Sequence, residues 1–239
     1  MAALRPNSQG WRGFPLNSPL LEACGIVRRD AQNGNLLLNE AGLRIDAGEC
    51  LSLSGPSGAG KTLLLRACAH LDPVESGQVL WQGQALKPTD IPAFRAKVMY
   101  LPQRSAMFPG DVARNLALGF GLGEHRHKAY PKKRVEEYLA QLGRNAEFLR
   151  KESQALSGGE RQIVAFLRAL ILGPTVLLLD EAAAALDQET ARQLADLVRG
   201  WLDEGEGTRA AVWVSHDPIF LARVATRAVI LARPMGGSL

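Results

Sequence analysis

Residues 51–65 of the chain have the sequence LSLSGPSGAGKTLLL, an apolar stretch followed by a glycine-rich turn and a run of helix-forming residues. Within it, GPSGAGKT at 55–62 fits the phosphate-loop pattern G-x-x-x-x-G-K-[S/T]. Glycines and small residues let successive backbone amides converge on phosphate oxygens, and the start of the helix adds positive potential. The stretch therefore predicts a strand, a phosphate cradle and a helix, with the cradle formed by Gly55, Pro56, Ser57, Gly58, Ala59, Gly60, Lys61 and Thr62.

Two side chains of this loop carry specific chemistry. Lys61 supplies a point charge for the β- and γ-phosphates of a nucleotide, and the Thr62 hydroxyl is a ligand suited to Mg²⁺. A purely structural glycine turn would explain neither residue. The pattern also occurs in GTPases and in small-molecule kinases, so by itself it predicts a bound nucleotide and leaves the reaction open.

A second stretch, TVLLLDE at 175–181, ends an apolar run with two adjacent carboxylates. In a sheet that carries a phosphate loop, an aspartate at the end of a neighbouring buried strand can reach the magnesium shell, and Asp180 suits this role. Glu181 would lie where it can orient and deprotonate a water molecule that attacks the γ-phosphate. The alternative is a solvated acidic turn. A metal-binding acid next to a water-activating acid favours hydrolysis as the reaction.

The order of the patterns predicts an α/β fold. We expect a P-loop NTPase core with a mixed, mainly parallel sheet, an N-terminal antiparallel β-subdomain and an α-helical subdomain at about 104–173. Strands are predicted at 21–27, 42–46, 50–54, 78–82, 98–101, 175–180, 210–215 and 227–232. Helices are predicted at 61–71, 131–142, 157–172, 188–203 and 217–225.

Length and composition indicate a globular protein with one large domain or a domain with a small subdomain. The chain has 239 residues, 46% of them hydrophobic, and a formal net charge of +4. Its apolar runs are shorter than the ~18–20 residues that span a bilayer. We expect a flexible leader at 1–19, a single domain at 20–232 and a short tail at 233–239. Three cysteines without a Cys-x-x-Cys pair favour buried thiols in a reducing compartment over a zinc site, and we expect a cytoplasmic location.

The stretch ALSGGERQ at 155–162 narrows the class of enzyme. Ser157, Gly158 and Gly159 open a predicted helix and could bind an anion, although the chain already has a complete phosphate cradle. LSGGE after a phosphate loop closely resembles the signature of ABC-type ATPases. The resemblance implies that this corner closes on ATP held by the other subunit of a head-to-tail homodimer.

Further segments resemble the same family over residues 20–232. YLPQRSAMFPG at 100–110 looks like the Q-loop, which implies that Gln103 meets Mg²⁺ and senses a membrane partner. Ala185-Leu186-Asp187 matches the loop after the catalytic carboxylate. VWVSHD at 212–217 resembles the switch segment, which implies that His216 contacts the γ-phosphate and helps to hold the attacking water.

The chain also departs from the family pattern. Ala182, Ala183 and Ala184 replace the usual Pro-Thr-Ser, which changes the stiffness of the loop but keeps its length. The aromatic residue that normally stacks on adenine is missing. By register it falls near residues 26–30, where Ile26 would offer only an apolar contact with the base.

The resemblance implies an ATPase subunit that uses ATP and Mg²⁺ and drives a separate transmembrane permease from the cytoplasmic face of the inner membrane. No direct contact with nucleic acid is expected. The chain looks most similar to small bacterial exporter ATPases associated with iron or metal export, although amino-acid, phosphate and lipoprotein-type cassettes share most of the same marks. Two alternatives stay open: a soluble ABC-type ATPase with a regulatory or nucleic-acid-linked role, and a P-loop kinase, against which the LSGGE signature counts.

Overall fold

The structure, a computed structural model, describes residues 19–234. The predicted leader, except for Pro19, and most of the predicted tail lie outside these residues. The strands are β1 (Leu21–Arg29), β2 (Leu36–Ile45), β3 (Cys50–Ser54), β4 (Ser76–Trp81), β5 (Gln84–Ala85), β6 (Val98–Leu101), β7 (Val176–Asp180), β8 (Ala210–Val214) and β9 (Arg227–Ile230). The α-helices are α1 (Lys61–Cys68), α2 (Ile91–Lys97), α3 (Val112–Ala117), α4 (Lys132–Gln141), α5 (Gly158–Leu170), α6 (Gln188–Asp203) and α7 (Pro218–Val224).

The strands form two sheets. A five-stranded sheet has the order β6-β7-β8-β3-β9, and every adjacent pair in it is parallel. A four-stranded sheet has the order β2-β1-β4-β5, and its pairs are antiparallel. This arrangement confirms the predicted α/β class with a separate N-terminal antiparallel sheet. The main sheet is parallel throughout its described strands.

The parallel sheet separates two hydrophobic clusters because successive side chains of a strand point to opposite faces. In β7, which is buried at all five positions, Leu177 and Leu179 pack with residues of α5 and α6, whereas Val176 and Leu178 pack with α1 and the antiparallel sheet. Coverage of both faces explains why this strand has an unbroken apolar sequence.

The segment between β6 and β7 contains α3, α4, α5 and short 3-10 turns, and its only β-type pairing is an isolated bridge between Asp111 and Glu152, all within the described residues. This helical content agrees with the residues predicted there, but the status of 104–173 as a subdomain stays a prediction. None of the helices within the described residues has both the length and the hydropathy that are needed to cross a bilayer.

The predicted elements differ from the structure at a few places. The strand predicted at 42–46 is the second half of β2, which begins at Leu36 and pairs with β1 along most of its length. Helices α2 and α3 have 7 and 6 residues, too few turns to give a clear periodic pattern, and the predicted elements contain neither. These short helices lie on either side of β6 in the chain, and the loop that contains Gln103 connects β6 to α3.

Candidate active site

The carboxyl ends of four parallel strands meet at one edge of the main sheet and border a cleft of about 370 Å³. Ligands of open α/β sheets bind at this edge. The lining residues come from the loops after β3, β6, β7 and β8 and from the tip of β2: Leu37, Ser57, Gly58, Gly60, Lys61, Thr62, Leu63, Gln103, Asp180, Glu181, Val214 and His216. The fold therefore brings together the predicted phosphate loop, both predicted acids, the glutamine and the histidine.

The phosphate loop joins β3 to α1 and is closely enclosed by its neighbours. Gly60 has a φ of +91°, and a Cβ atom there would lie 2.5 Å from Cδ2 of Leu38. No side chain caps α1 at this residue, so the first backbone amides of the helix have no capping partner. The Lys61 ammonium donates hydrogen bonds to the carbonyl oxygens of Gly55 and Pro56, at 2.8 and 3.1 Å. The loop thus places the Lys61 ammonium and the uncapped N-terminus of α1 in one small region.

Asp180, the last residue of β7, is 3% exposed. Its Oδ2 accepts a hydrogen bond of 2.8 Å from the Tyr100 hydroxyl, whereas its Oδ1 is buried and has no hydrogen-bond partner among the described residues. A buried oxygen without a hydrogen-bond partner costs free energy of folding unless a bound ligand interacts with it. The lining of the cleft also includes Thr62 and Gln103, so further oxygen ligands are close by.

Glu181 follows in a strained backbone conformation and contacts the predicted histidine. Its φ is +54°, and its backbone N–H donates to the carbonyl oxygen of Val214 on the next strand. The Oε1 atom lies 3.0 Å from Nε2 of His216. Burial raises the pKa of the Glu181 carboxyl above its ordinary value; His216 and Lys61 oppose this increase, and Asp180 adds to it. Strain of this kind and a raised pKa are both concentrated at functional sites.

The run of alanines after Glu181 forms a compact turn. Backbone hydrogen bonds join Ala184 N–H to the Glu181 carbonyl and Leu186 N–H to the Ala183 carbonyl. Asp187 then caps α6, because its Oδ1 accepts from the Thr190 amide at 2.8 Å. The length of the loop is thus enough to connect β7 to a well-capped helix without the usual proline or hydroxyls.

The SGGE corner lies outside the cleft. Ser157 is the N-cap of α5 and forms a capping box with Glu160, in which each side chain accepts a hydrogen bond from the other residue's backbone. Ser157 and Gly158 are exposed. A Cβ atom at Gly159 would lie 2.9 Å from the Ala185 carbonyl oxygen, so a bare glycine is needed where α5 meets the alanine turn.

Two residues of the site were missed by the sequence analysis. Gln162, which is 7% exposed, donates to the carbonyl oxygens of Gln103 and Glu181 and accepts from the Ala185 amide. Tyr100 holds Asp180, as described above. A polar residue on the buried face of the apolar helix α5 was the signal for Gln162, whereas nothing in the sequence indicates the partner of Tyr100.

The predicted contact between Ile26 and adenine is wrong. Ile26 lies in β1, is 0% exposed and packs in the cluster between the two sheets. A side chain with no exposed surface cannot contact a bound base. Leu37, near the start of β2, is an apolar residue that does line the cleft beside the phosphate loop.

Comparison with known proteins agrees with this geometry. Residues 38–184, more than half of the chain, match the family model described as ABC transporter. The matched segment contains the phosphate loop, Gln103, the SGGE corner, Asp180 and Glu181. The chain belongs to the ABC transporter family. This membership confirms the resemblance that the sequence motifs indicated.

Several curated ABC proteins are similar to the chain over most of its length. The sulfate/thiosulfate import ATP-binding protein CysA of Caulobacter vibrioides is 41% identical over 200 residues, which cover 81% of this chain and 57% of that protein. The spermidine/putrescine import ATP-binding protein PotA of Haemophilus influenzae is 32% identical over 220 residues, 92% of this chain and 57% of that protein. The thiamine import ATP-binding protein ThiQ of a Ruegeria species is 36% identical over 208 residues, 85% of each. The chain thus spans little more than half the length of CysA and PotA.

Solved ABC structures share the fold. The dimeric structure of MJ0796, a bacterial ABC transporter cassette, has a TM-score of 0.77 and 26% identity, with coverage of 89% of this chain and 94% of that one. The dimeric structure of a post-hydrolysis state of MJ0796 bound to ADP and Pi has a TM-score of 0.76 and 27% identity, with coverage of 88% and 94%.

Proposed function

We propose that the chain is the ATP-binding and ATP-hydrolysing subunit of an ABC membrane transporter. The observation that carries the proposal is the meeting of Lys61, Asp180, Glu181 and His216 in one cleft at the carboxyl ends of the parallel strands. In this cleft, Lys61 is suited to bind phosphate, Asp180 to bind a metal ion, and Glu181 to activate water. The names of the relatives, all ATP-binding proteins of import systems, support the same role.

The residues of the cleft fit a hydrated Mg²⁺ ion bound with the nucleotide. The buried Oδ1 of Asp180, which has no hydrogen-bond partner within residues 19–234, is an oxygen ligand suited to a cation, and Thr62 and Gln103 border the same space. Magnesium prefers oxygen ligands and usually binds through one or two carboxylates together with substrate phosphates. When bound, it would neutralise charge on the β- and γ-phosphates.

In the proposed reaction, Glu181 acts as the general base. A water oxygen attacks the γ-phosphorus in line, the bond to the departing ADP oxygen breaks, and the proton of the water passes to the Glu181 carboxylate. A raised pKa makes this carboxylate a stronger base than an ordinary glutamate. His216, whose Nε2 lies 3.0 Å from Oε1, holds the carboxylate in place, and it would contact the γ-phosphate once the nucleotide is bound. Lys61 would bind the β- and γ-phosphates from the loop.

The exposed SGGE corner supports a proposal of dimerisation. Ser157 and Gly158 face solvent and do not line their own chain's cleft, so we propose that they close on ATP held by a second copy of the chain. ATP would then join the two subunits, and its hydrolysis would release them. Differential affinity of ATP for the closed dimer would drive a transmembrane permease, with the subunits peripheral to the cytoplasmic face of the inner membrane.

The names of the relatives bear on the direction of transport. The relatives in the previous section are named for the import of sulfate, polyamines or thiamine, which favours an importer. Export of iron or another metal rests on the sequence resemblance alone and stays a prediction. No described feature favours a soluble regulatory or nucleic-acid-linked role.

The Glu181→Gln variant tests the proposal. We expect ATP binding to be retained and ATP turnover to fall by about 10²–10⁴-fold, the contribution of a positioned general base. The variant should also accumulate as an ATP-bound dimer in size-exclusion chromatography. Glu189→Gln, which changes an exposed carboxylate of α6, is the matched control and should keep full activity. Normal phosphate release by Glu181→Gln would refute the role of Glu181.

A further inference from the structure

We infer that Tyr100 is a positioning residue that orients the Asp180 carboxylate toward the metal–nucleotide complex. The inference rests on the proposed function, in which Asp180 is the metal carboxylate. It concerns a residue outside the phosphate loop, the signature and the catalytic pair, on the strand next to that of Asp180.

The pairing of β6 with β7 brings the two side chains together. Tyr100 is in register with Leu178, two residues before Asp180, and its hydroxyl reaches Oδ2 of Asp180 at 2.8 Å. The carboxylate is 3% exposed, and its other oxygen has no hydrogen-bond partner in the part of the chain that the structure describes. The hydroxyl therefore occupies one oxygen and leaves the other for a ligand. A buried carboxylate with both oxygens unpartnered would be free to rotate about its terminal torsion.

Charged neighbours restrain the tyrosine itself. The guanidinium carbon of Arg66 lies 5.9 Å from the centroid of the Tyr100 ring, within the range of a cation–π interaction. Asp72 fixes this guanidinium through two hydrogen bonds, from Nε at 2.8 Å and from a terminal nitrogen at 2.6 Å, and also pairs with Arg28. Since Arg66 belongs to α1, the helix that begins at the phosphate loop, the same helix supports both the phosphate cradle and the residue that orients Asp180.

This arrangement has the form of an outer-shell contact to a metal ligand. Residues that hydrogen-bond a ligating carboxylate fix its orientation, and their mutation typically costs about 10- to 100-fold in metal affinity or activity. A hydroxyl with a merely structural role would contribute to stability alone. The two roles therefore differ in what the loss of the hydroxyl does to metal binding.

The Tyr100→Phe variant removes only the hydroxyl and keeps the ring under Arg66. We would titrate Mn²⁺ into the full chain with a non-hydrolysable ATP analogue and follow free Mn²⁺ by electron paramagnetic resonance. We expect a metal affinity about 10- to 100-fold weaker than in the wild type, with binding of the analogue in EDTA changed less than twofold. Tyr130→Phe is the matched control, because Tyr130 is partly buried and packs edge-on against Phe120, away from the cleft. It should leave the Mn²⁺ titration unchanged.

A double variant tests whether the effect passes through Asp180. In an Asp180→Asn background, Tyr100→Phe should cause little further loss of Mn²⁺ affinity, because coupled residues are not additive. An additive loss, or an unchanged Mn²⁺ titration for the single variant, would overturn the inference. Binding of the analogue in EDTA shows that each variant is folded. If the wild type itself shows no metal-dependent binding of the analogue, the proposed function fails, whereas a metal-responsive wild type with an unaffected Tyr100→Phe variant removes only the role of Tyr100.

Discussion

Gln162 connects three loops of the active site through one side-chain amide. Its Nε2 donates to the carbonyl oxygens of Gln103 and Glu181, both at 3.3 Å, and its Oε1 accepts from the Ala185 amide at 2.9 Å. We predict that Gln162→Leu, which is similar in size but cannot form these bonds, loosens all three loops at once. The residue is 7% exposed, so water cannot readily replace the lost partners.

The size of the effect follows from the geometry. A typical hydrogen bond contributes a net ~0.5–1.5 kcal/mol, and the two longer bonds belong at the low end of this range. The loss of all three hydrogen bonds should lower the free energy of unfolding by about 2 kcal/mol. For a chain of this length such a loss corresponds to a melting temperature lower by about 4–8 °C. Displacement of Glu181 and Gln103 should also reduce kcat by about 10- to 100-fold, while KM for ATP changes little because Gln162 does not contact the phosphate loop.

Steady-state phosphate release and thermal unfolding by circular dichroism would measure the two effects on the same samples. Gln162→Glu should lower stability at least as much, because the buried carboxylate keeps the acceptor for Ala185 but places an oxygen without a proton against the carbonyl oxygens of Gln103 and Glu181. Gln193→Leu, a change in a partly exposed glutamine of α6 whose side chain contacts Glu189, is the control and should alter stability by less than ~0.5 kcal/mol. A variant Gln162→Leu with a lower melting temperature but a normal kcat would refute the claim that this amide positions the catalytic loops.

Three further predictions follow from single residues. Gly60→Ala should weaken ATP binding more than tenfold in a titration, because alanine disfavours a φ of +91° and its Cβ would clash with Leu38. The control is Gly200→Ala in α6, where a Cβ atom has open space. This variant should stabilise the chain by about 0.5–1 kcal/mol in urea unfolding. The hydrogen bond with Arg66 is the main cause that lowers the pKa of Asp72 from 3.8 to about 2. The Asp72 carboxylate should therefore stabilise the fold fully above pH 3.8 and lose this contribution as the pH falls toward 2. The difference in urea stability between the wild type and Asp72→Asn should shrink over that window, and a constant difference would contradict the ion pair. Ser157→Ala should abolish ATP-driven dimerisation in light scattering without altering the affinity of the monomer for ATP, whereas equal loss of both would show that the SGGE corner acts within its own subunit.

Much of the candidate site could be predicted because its motifs are local. The phosphate loop is eight consecutive residues, and Glu181 directly follows Asp180 at the end of β7, so their relative positions follow from a single turn or strand. The strands β7 and β8 were predictable for a similar reason, since coverage of both faces requires unbroken apolar sequences. The short helices α2 and α3 and the first half of β2 were not, because tertiary packing outweighs the weak pattern of so few residues. Ile26 was assigned by register alone, and register does not reveal which face of β1 is covered.

The sequence by itself determined which chemical groups this ABC protein carries and in which order its strands and helices follow, because periodicity and short-range motifs depend on neighbours in the chain. Only the tertiary structure decided which of these groups meet. The hydroxyl of Tyr100 reaches a carboxylate 80 residues away, and Gln162 contacts loops 59 and 19 residues away. The physical reason is that parallel strands gather distant loops at one edge of the sheet, and hydrogen bonds between them depend on distances of a few ångströms that sheet order and helix packing set.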